Sequence, residues 1–225
     1  TGAVAVRTGF LSHLTLAASN LQQSVTTKCP ADVADPGAIC VNARDFAISQ
    51  VQVAKLMMAA RPQLRWFLVL LSETGVRRGE LLTMEWNEVN LDGGWMKVLA
   101  HKAKSGKERI VTLSVNARAV LEMIPQDGVN PYVFPGLKDP RGHLAEGTLD
   151  DWWTYARDVA GVVGPKGQPV WLHTLRHSFA TDYMLGGGSI EVLMSQCGWT
   201  GQAMARRYIN ITAEPNGAFT VITEV

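Results

Sequence analysis

Residues 93–113, GGWMKVLAHKAKSGKERIVTL, alternate polar and apolar side chains on both sides of Ser105-Gly106, whereas the other patterned stretches of the chain repeat at helical spacing. Period two over so short a run predicts a two-stranded hairpin with its turn at Ser105-Gly106. With helices on either side of it in sequence, the expected class is mainly α with a small antiparallel β-sheet.

The helical readings run along the whole chain. Residues 8–23 form one pattern, and residues 24–42, containing Pro, Gly and Asp, read as a linker. From residue 45 a second pattern places Ile48, Val51, Ala54, Leu56 and Met57 on or near one face, and Arg61-Pro62 ends it. Residues 64–73 are a strongly apolar helix stopped at Thr74-Gly75, and residues 78–86 carry Leu81, Leu82 and Met84 into another. Helix returns at 115–124, residues 130–142 are a Pro/Gly-rich connection, and Thr148 reads as the cap of a helix with Asp150 and Asp151 in its first turn. The remaining helices span 174–185, 189–197 and 201–208, broken by Gly186, Gly187, Gly188 and Gly198.

Composition adds exclusions. A chain of 225 residues, 47% hydrophobic and 18% charged, buries a full core, and no run approaches the roughly 18 apolar residues of a membrane span. It opens Thr-Gly-Ala-Val with no basic-then-apolar leader, so a piece of a longer, non-secreted protein is expected. Cys29, Cys40 and Cys197 have no metal-binding spacing, so no metal is expected; a reducing cytoplasm is the simplest compartment, with a Cys29–Cys40 bridge left open. The net charge of +1 does not announce a nucleic-acid binder, although HKAKSGKER, residues 101–109, sets four Lys/Arg against one Glu.

Four polar boxes stand out. In HTLRHSFAT, residues 173–181, Leu175, Phe179 and Tyr183 form one stripe, and His173, Arg176 and His177 share a different face. In TGVRRGELL, Arg77 follows a helix break where free N–H groups favour an anion, and Glu80 lies one turn away, able to hold its guanidinium. Lys102, Lys104 and Lys107 crowd the hairpin turn, and GWTGQAMARRYINI joins Trp199 to Arg206, Arg207 and Tyr208.

In this order the boxes resemble those of the tyrosine recombinase (phage integrase) family. TGVRRGELL is similar to its first-arginine box, KAKSGKERIVTL to its lysine-bearing β-hairpin, YVFPG to the segment before the later helices, HTLRHSFAT to H-x-L-R-H-x-F-A-T, and CGWTGQAMARRYINI to the closing tyrosine box. The resemblance covers about residues 45–212 and implies a catalytic set of Arg77, Lys104, His173, Arg176, Trp199 and Tyr208, with Glu80 and His177 supporting. Lys104 is selected by aligning KERIVTL with the strand after the family hairpin; Lys102 and Lys107 are the fallbacks. Trp199 stands where most members carry a second histidine, a known variation. Arg78, Lys102, Lys107, Arg109, Arg206 and Arg207 are the expected DNA contacts.

What the resemblance implies is a site-specific recombinase acting on double-stranded DNA without metal, cofactor or ATP, as a homotetramer on DNA, with accessory DNA-bending proteins as further partners and a cytoplasmic, nucleoid-associated location. A type IB topoisomerase-like enzyme and an inactive DNA-binding fragment are the alternatives. Residues 1–44 are too short for the core-binding domain that usually precedes the catalytic domain and resemble a remnant of it, and 213–225 form a tail of the kind that docks on a neighbouring protomer. The chemistry suits these residue types. A phenol of pKa about 10 attacks phosphorus yet leaves again on reversal, conserving the bond as a phosphotyrosine ester. Guanidiniums give planar, permanently charged donors to the phosphate oxygens, and an indole N–H donates without shuttling protons. Acid–base work therefore falls to Lys104, towards the 5′-oxygen, and His173, towards Tyr208.

Overall fold

The computed structural model describes residues 46–139, 141–201, 204 and 205. The helix expected at 8–23, Cys29, Cys40, and Arg206, Arg207 and Tyr208 of the closing box lie outside the described residues, as does the tail.

Helix α1 (Gln50–Ala59) opens on a capping box in which the Ser49 side chain accepts from Gln52 N and the Gln52 amide oxygen accepts from Ser49 N. Pro62 then starts α2 (Pro62–Thr74) where its missing N–H costs nothing. Leu64, Phe67, Leu68, Val69, Leu70 and Leu71 bury α2 on nearly every side, making it the central helix of the core. It stops at Gly75, whose φ of 64° is left-handed.

Helix α3 is shorter than the expected 78–86, covering Arg78–Leu82. Met84 turns into the core, Glu85 bridges to Tyr132, and a 3₁₀ turn, Trp86–Glu88, leads to strand β1 (Val89–Asn90). Strands β2 (Trp95–Val98) and β3 (Arg109–Thr112) pair antiparallel with Trp95 opposite Thr112 and Val98 opposite Arg109. The sheet thus has three strands, in the order β1-β2-β3, rather than two. Pairing also ends earlier than the alternation predicts, leaving residues 99–108 as a connection folded by its own turns. Ala103 N and Lys102 N donate to Leu99 O, and Gly106 N donates to Ala103 O, so a turn spans 103–106 with Lys104 and Ser105 at its centre, one residue before the expected Ser105-Gly106. Ala103 is buried and anchors the loop.

Helix α4 (Val115–Met123) is capped by Ser114. Helix α5 (Glu146–Ala160) starts two residues before Thr148, with Ala145 at the cap and no side-chain cap bond, which corrects the expected Thr148 cap. After the 3₁₀ turn Pro165–Gly167 come α6 (Leu172–Leu185) and α7 (Ile190–Cys197), the latter capped by Ser189 and closed by left-handed Gly198. Helix α2 packs against α6 and α4, α1 against α5, and α7 against β3.

The stripe on α6 divides between two clusters. Leu175 joins the main core, while Phe179 and Tyr183 are half-buried and pack with Leu193, Cys197 and Trp199. Phe179 lies over Gly75 and Tyr183 over Gly188 so closely that neither glycine has room for a side chain. The opposite face is buried as well: Thr174, Arg176, His177 and Ser178 are each less than 5% exposed. These four polar residues are interior groups, while His173 on the same helix is exposed.

Candidate active site

Three consecutive carbonyls at the C-terminal end of α7 each accept from a different arginine. Arg109 Nε donates to Gln196 O at 3.1 Å, Arg176 Nη2 to Cys197 O at 2.6 Å, and Arg77 Nη2 to Gly198 O at 3.2 Å. The last carbonyls of a helix have no partners within it and form its negative end, so cations are favoured there. Arg176 Nη1 also donates to Gly75 O, the end of α2. One buried guanidinium therefore ties together two helix termini.

Glu80 supplies the counter-charge. As the third residue of α3 it accepts from Arg77 N at 2.9 Å and from Arg77 Nη1 at 3.0 Å, the clasp expected from the sequence. Arg109 meets the same carboxylate with a two-pronged fork, Nη1 at 3.1 Å and Nη2 at 2.6 Å. Burial alone would raise the Glu80 pKa, but the hydrogen bonds and charge of Arg109, then those of Arg77, hold it below the ordinary carboxylate value. Burial pushes the Arg176 guanidinium down from its ordinary value, and Arg77 and Arg109 push the same way. Arginine starts so high that it keeps its charge. Three guanidiniums gather near one carboxylate, which two of them bind, and the excess positive charge suits an anion.

The aromatic groups lie against this cluster. The Trp199 ring is 5.4 Å from Arg176 Cζ, within cation–π range. His173 is exposed one turn before Arg176, and its ring meets the buried His177 edge to face at 4.8 Å. Cys197 lies beside the arginines, but burial raises its thiol pKa and leaves it a protonated, packed side chain.

The structure separates the three lysines. Lys102, its side chain 9% exposed, donates to Thr83 O at 2.7 Å, Glu88 at 2.8 Å and Glu85 at 3.1 Å. Lys104 and Lys107 are exposed, with no ion pair among the described residues. Two other expected DNA contacts also make ion pairs: Arg78 with Glu146 and Asp150 of α5, and Arg109 with Glu80. Lys102 and Arg109 thus have internal carboxylate partners, Glu88 and Glu80, whereas Arg78 pairs at the surface with the exposed Glu146 and Asp150. The reason for Arg109 is period two: it shares a sheet face with buried Val111, so its charge needs a carboxylate on that side. That alternation was the signal available in the sequence. Gln196, which holds Thr112 N at 3.0 Å and Thr112 O at 2.9 Å through its side-chain amide, had no such signal.

Among the described residues no group of three or more His, Cys, Asp or Glu comes together as a metal site, and no helix is long and apolar enough to cross a membrane.

A helical domain with a small three-stranded antiparallel sheet is the architecture of integrase catalytic domains. Solved structures share it: XerA recombinase (TM-score 0.59, 24% identity, covering 76% of this chain and 66% of that one) and a lambda integrase dimer, residues 75–356, bound to a COC′ core site (TM-score 0.62, 21% identity, 81% and 64%). At these identities the likeness is one of fold. Residues 47–214 match the phage integrase family, and the chain belongs to it. Curated relatives include the tyrosine recombinase XerD of Vibrio cholerae, 26% identical over 80% of this chain and 63% of its own length, and XerC of Pelobacter propionicus, 28% identical over 67% and 48%. The chain thus spans about half to two-thirds of the length of these relatives.

Proposed function

We propose that this chain carries the catalytic domain of a site-specific recombinase that cleaves and rejoins DNA strands through a 3′-phosphotyrosyl intermediate on Tyr208, without metal or ATP. The observation that carries this reading is the convergence of Arg77 and Arg176, each anchored to backbone carbonyls, around a site with more positive charge than its one carboxylate offsets. Arg176 holds Gly75 O and Cys197 O, and Arg77 holds Glu80 and Gly198 O, so both guanidiniums are fixed in place before any phosphate arrives. Fixed donors of this kind stabilise charge that grows in the transition state with little reorganisation.

The phenol oxygen of Tyr208 attacks phosphorus, its proton passing to His173, and the bond from phosphorus to the 5′-oxygen breaks. Lys104 protonates that leaving oxygen. The Trp199 indole donates to a non-bridging oxygen. In the reverse step an incoming 5′-hydroxyl loses its proton to Lys104, attacks the phosphotyrosine and expels the phenol, which recovers its proton from His173. The free ammonium of Lys104, against the spent one of Lys102, supports this assignment; Lys107 remains its fallback.

Double-stranded DNA is the proposed substrate, bound chiefly through phosphates and so with steep salt dependence. A tetramer on DNA is proposed by analogy with a lambda integrase tetramer bound to a Holliday junction (TM-score 0.61, 20% identity, covering 88% of this chain and 56% of that one), with DNA-bending proteins as accessories and the nucleoid as location. Residues 1–44 are read as the end of a core-binding domain and 213–225 as a docking tail. Incubation with nicked suicide duplexes tests the core of the reading: a denaturant-stable protein–DNA adduct is expected, absent in Tyr208→Phe. No adduct from the wild-type chain on any duplex sinks it.

A further inference from the structure

Arg109 closes a ring of contacts that no DNA-facing role explains. Its Nε holds Gln196 O at 3.1 Å, its two terminal nitrogens hold Glu80 at 3.1 and 2.6 Å, and its side chain is 7% exposed. Each nitrogen already has an acceptor. Glu80 passes the contact to Arg77, and Arg77 returns it to Gly198, two residues beyond Gln196. Gly198 itself lies so near Arg109 that an added Cβ would fall 2.9 Å from Cζ, Nε and Nη1. Gln196 fastens the same turn to Thr112, at the other end of β3. Strand β3 is thereby joined both to Arg77 and to the turn that leads into Trp199, and it is also the strand entered from the lysine-bearing connection.

We propose that Arg109 is a positioning residue for strand transfer: through Glu80 and the 196–198 turn it sets the Arg77 guanidinium and Trp199 on the scissile phosphate and couples them to the lysine loop. This rests on the recombinase reading above. The fork of Arg109 is needed because it bridges two carboxylate oxygens and a carbonyl at once; a lysine ammonium, a point charge, cannot hold that plane. Misplacing a reacting group by about 1 Å can cost about 100-fold in rate.

The test is single-turnover adduct formation on nicked suicide duplexes recovered from a random-sequence pool by their covalent capture. Each is made with either a phosphodiester or a methylphosphonate at the scissile position. Arg109→Lys, Glu80→Gln and the double variant are compared with wild type at saturating DNA. Arg109→Lys is expected to bind DNA normally, to slow adduct formation about 100-fold on the phosphodiester, and to slow it far less on the methylphosphonate, which lacks the charge that Arg77 meets. The double variant should be no slower than the slower single variant, because both act through one contact. Weakened DNA binding with an unchanged rate at saturation would make Arg109 a phosphate contact and overturn the proposal. Equal losses on both substrates, or multiplying losses in the double variant, overturn it in favour of a structural role. If Arg109→Lys does not fold, Gln196→Leu removes the tie to Thr112 but keeps the carbonyl that Arg109 uses; the same substrate-dependent slowing is expected, and an unchanged rate overturns the inference. A wild-type chain that forms no adduct overturns the recombinase reading, and this inference with it; a reactive wild type with indifferent variants overturns this inference alone.

Discussion

Arg109 on β3 and Glu80 on α3 meet through two hydrogen bonds, of 3.1 and 2.6 Å, with side chains 7% and 2% exposed. The pair brings the small sheet and the arginine box, 29 residues apart in sequence, to a single carboxylate that also holds Arg77. Its removal leaves two guanidiniums without a counter-charge. Breaking one side of a buried ion pair costs about 3–5 kcal/mol. Glu80→Gln is therefore expected to lower unfolding stability by about 3 kcal/mol, which a urea titration measures.

The same carboxylate makes stability depend on pH. Its folded pKa lies below the ordinary value of 4.5, so the stability it adds is fully present above pH 4.5 and is lost as pH falls through the folded value. Thermal melts of wild type should drop as pH falls below 4.5, and Glu80→Gln should flatten that part of the curve. Parallel wild-type and variant profiles would contradict this.

Lys102 and Lys104 should fail in different ways. Lys102→Ala strands Glu88 in the interior, so it should lower stability by about 3 kcal/mol. Lys104→Ala removes an exposed ammonium and should leave the melting temperature unchanged while slowing adduct formation. Differential scanning calorimetry and the adduct assay, run on both variants, resolve the two effects.

At Gly75, φ is 64° and Phe179 occupies the place of a side chain. Gly75→Ala combines left-handed strain of about 1 kcal/mol with overpacking of about 1–3 kcal/mol. It also shifts the carbonyl that Arg176 holds. A loss of about 2–4 kcal/mol is expected in chemical denaturation, and the paired Phe179→Leu change should recover part of it.

Arg176→Lys retains a charge but loses the plane that spans Gly75 O and Cys197 O. Adduct formation should fall by at least about 100-fold, and stability should fall with it, since two helix ends lose their shared donor. Added guanidinium at millimolar concentration should restore little of the rate, because the pocket is closed by packing around a side chain 3% exposed.

Much of this was legible in the residues. Helical spacing and the Pro62, Gly75 and Gly198 punctuation located the described helices to within a few residues, because those positions answer to local backbone geometry. The local cues misled where tertiary contacts competed. Residues 78–86 broke at Thr83 because Met84 entered the core, and Thr148 lost its capping role because α5 began earlier. In the site, the Arg77–Glu80 clasp spans one helical turn and so could be read from spacing.

By itself, then, the sequence determined the order of the described helices and of the two hairpin strands, the family, and the residue types offered to the site, since each of these follows from short-range pattern. Tertiary structure decided which cations are spent and which remain. Lys102 and Lys104 are chemically identical and two residues apart, yet one is sunk among Glu85, Glu88 and Thr83 and the other stands exposed. Arg109 looks like a surface cation until β3 turns it onto Glu80 and the end of α7. The electrostatic role of a charge depends on its distance to partners and its loss of water, and both are set by segments far apart in the chain.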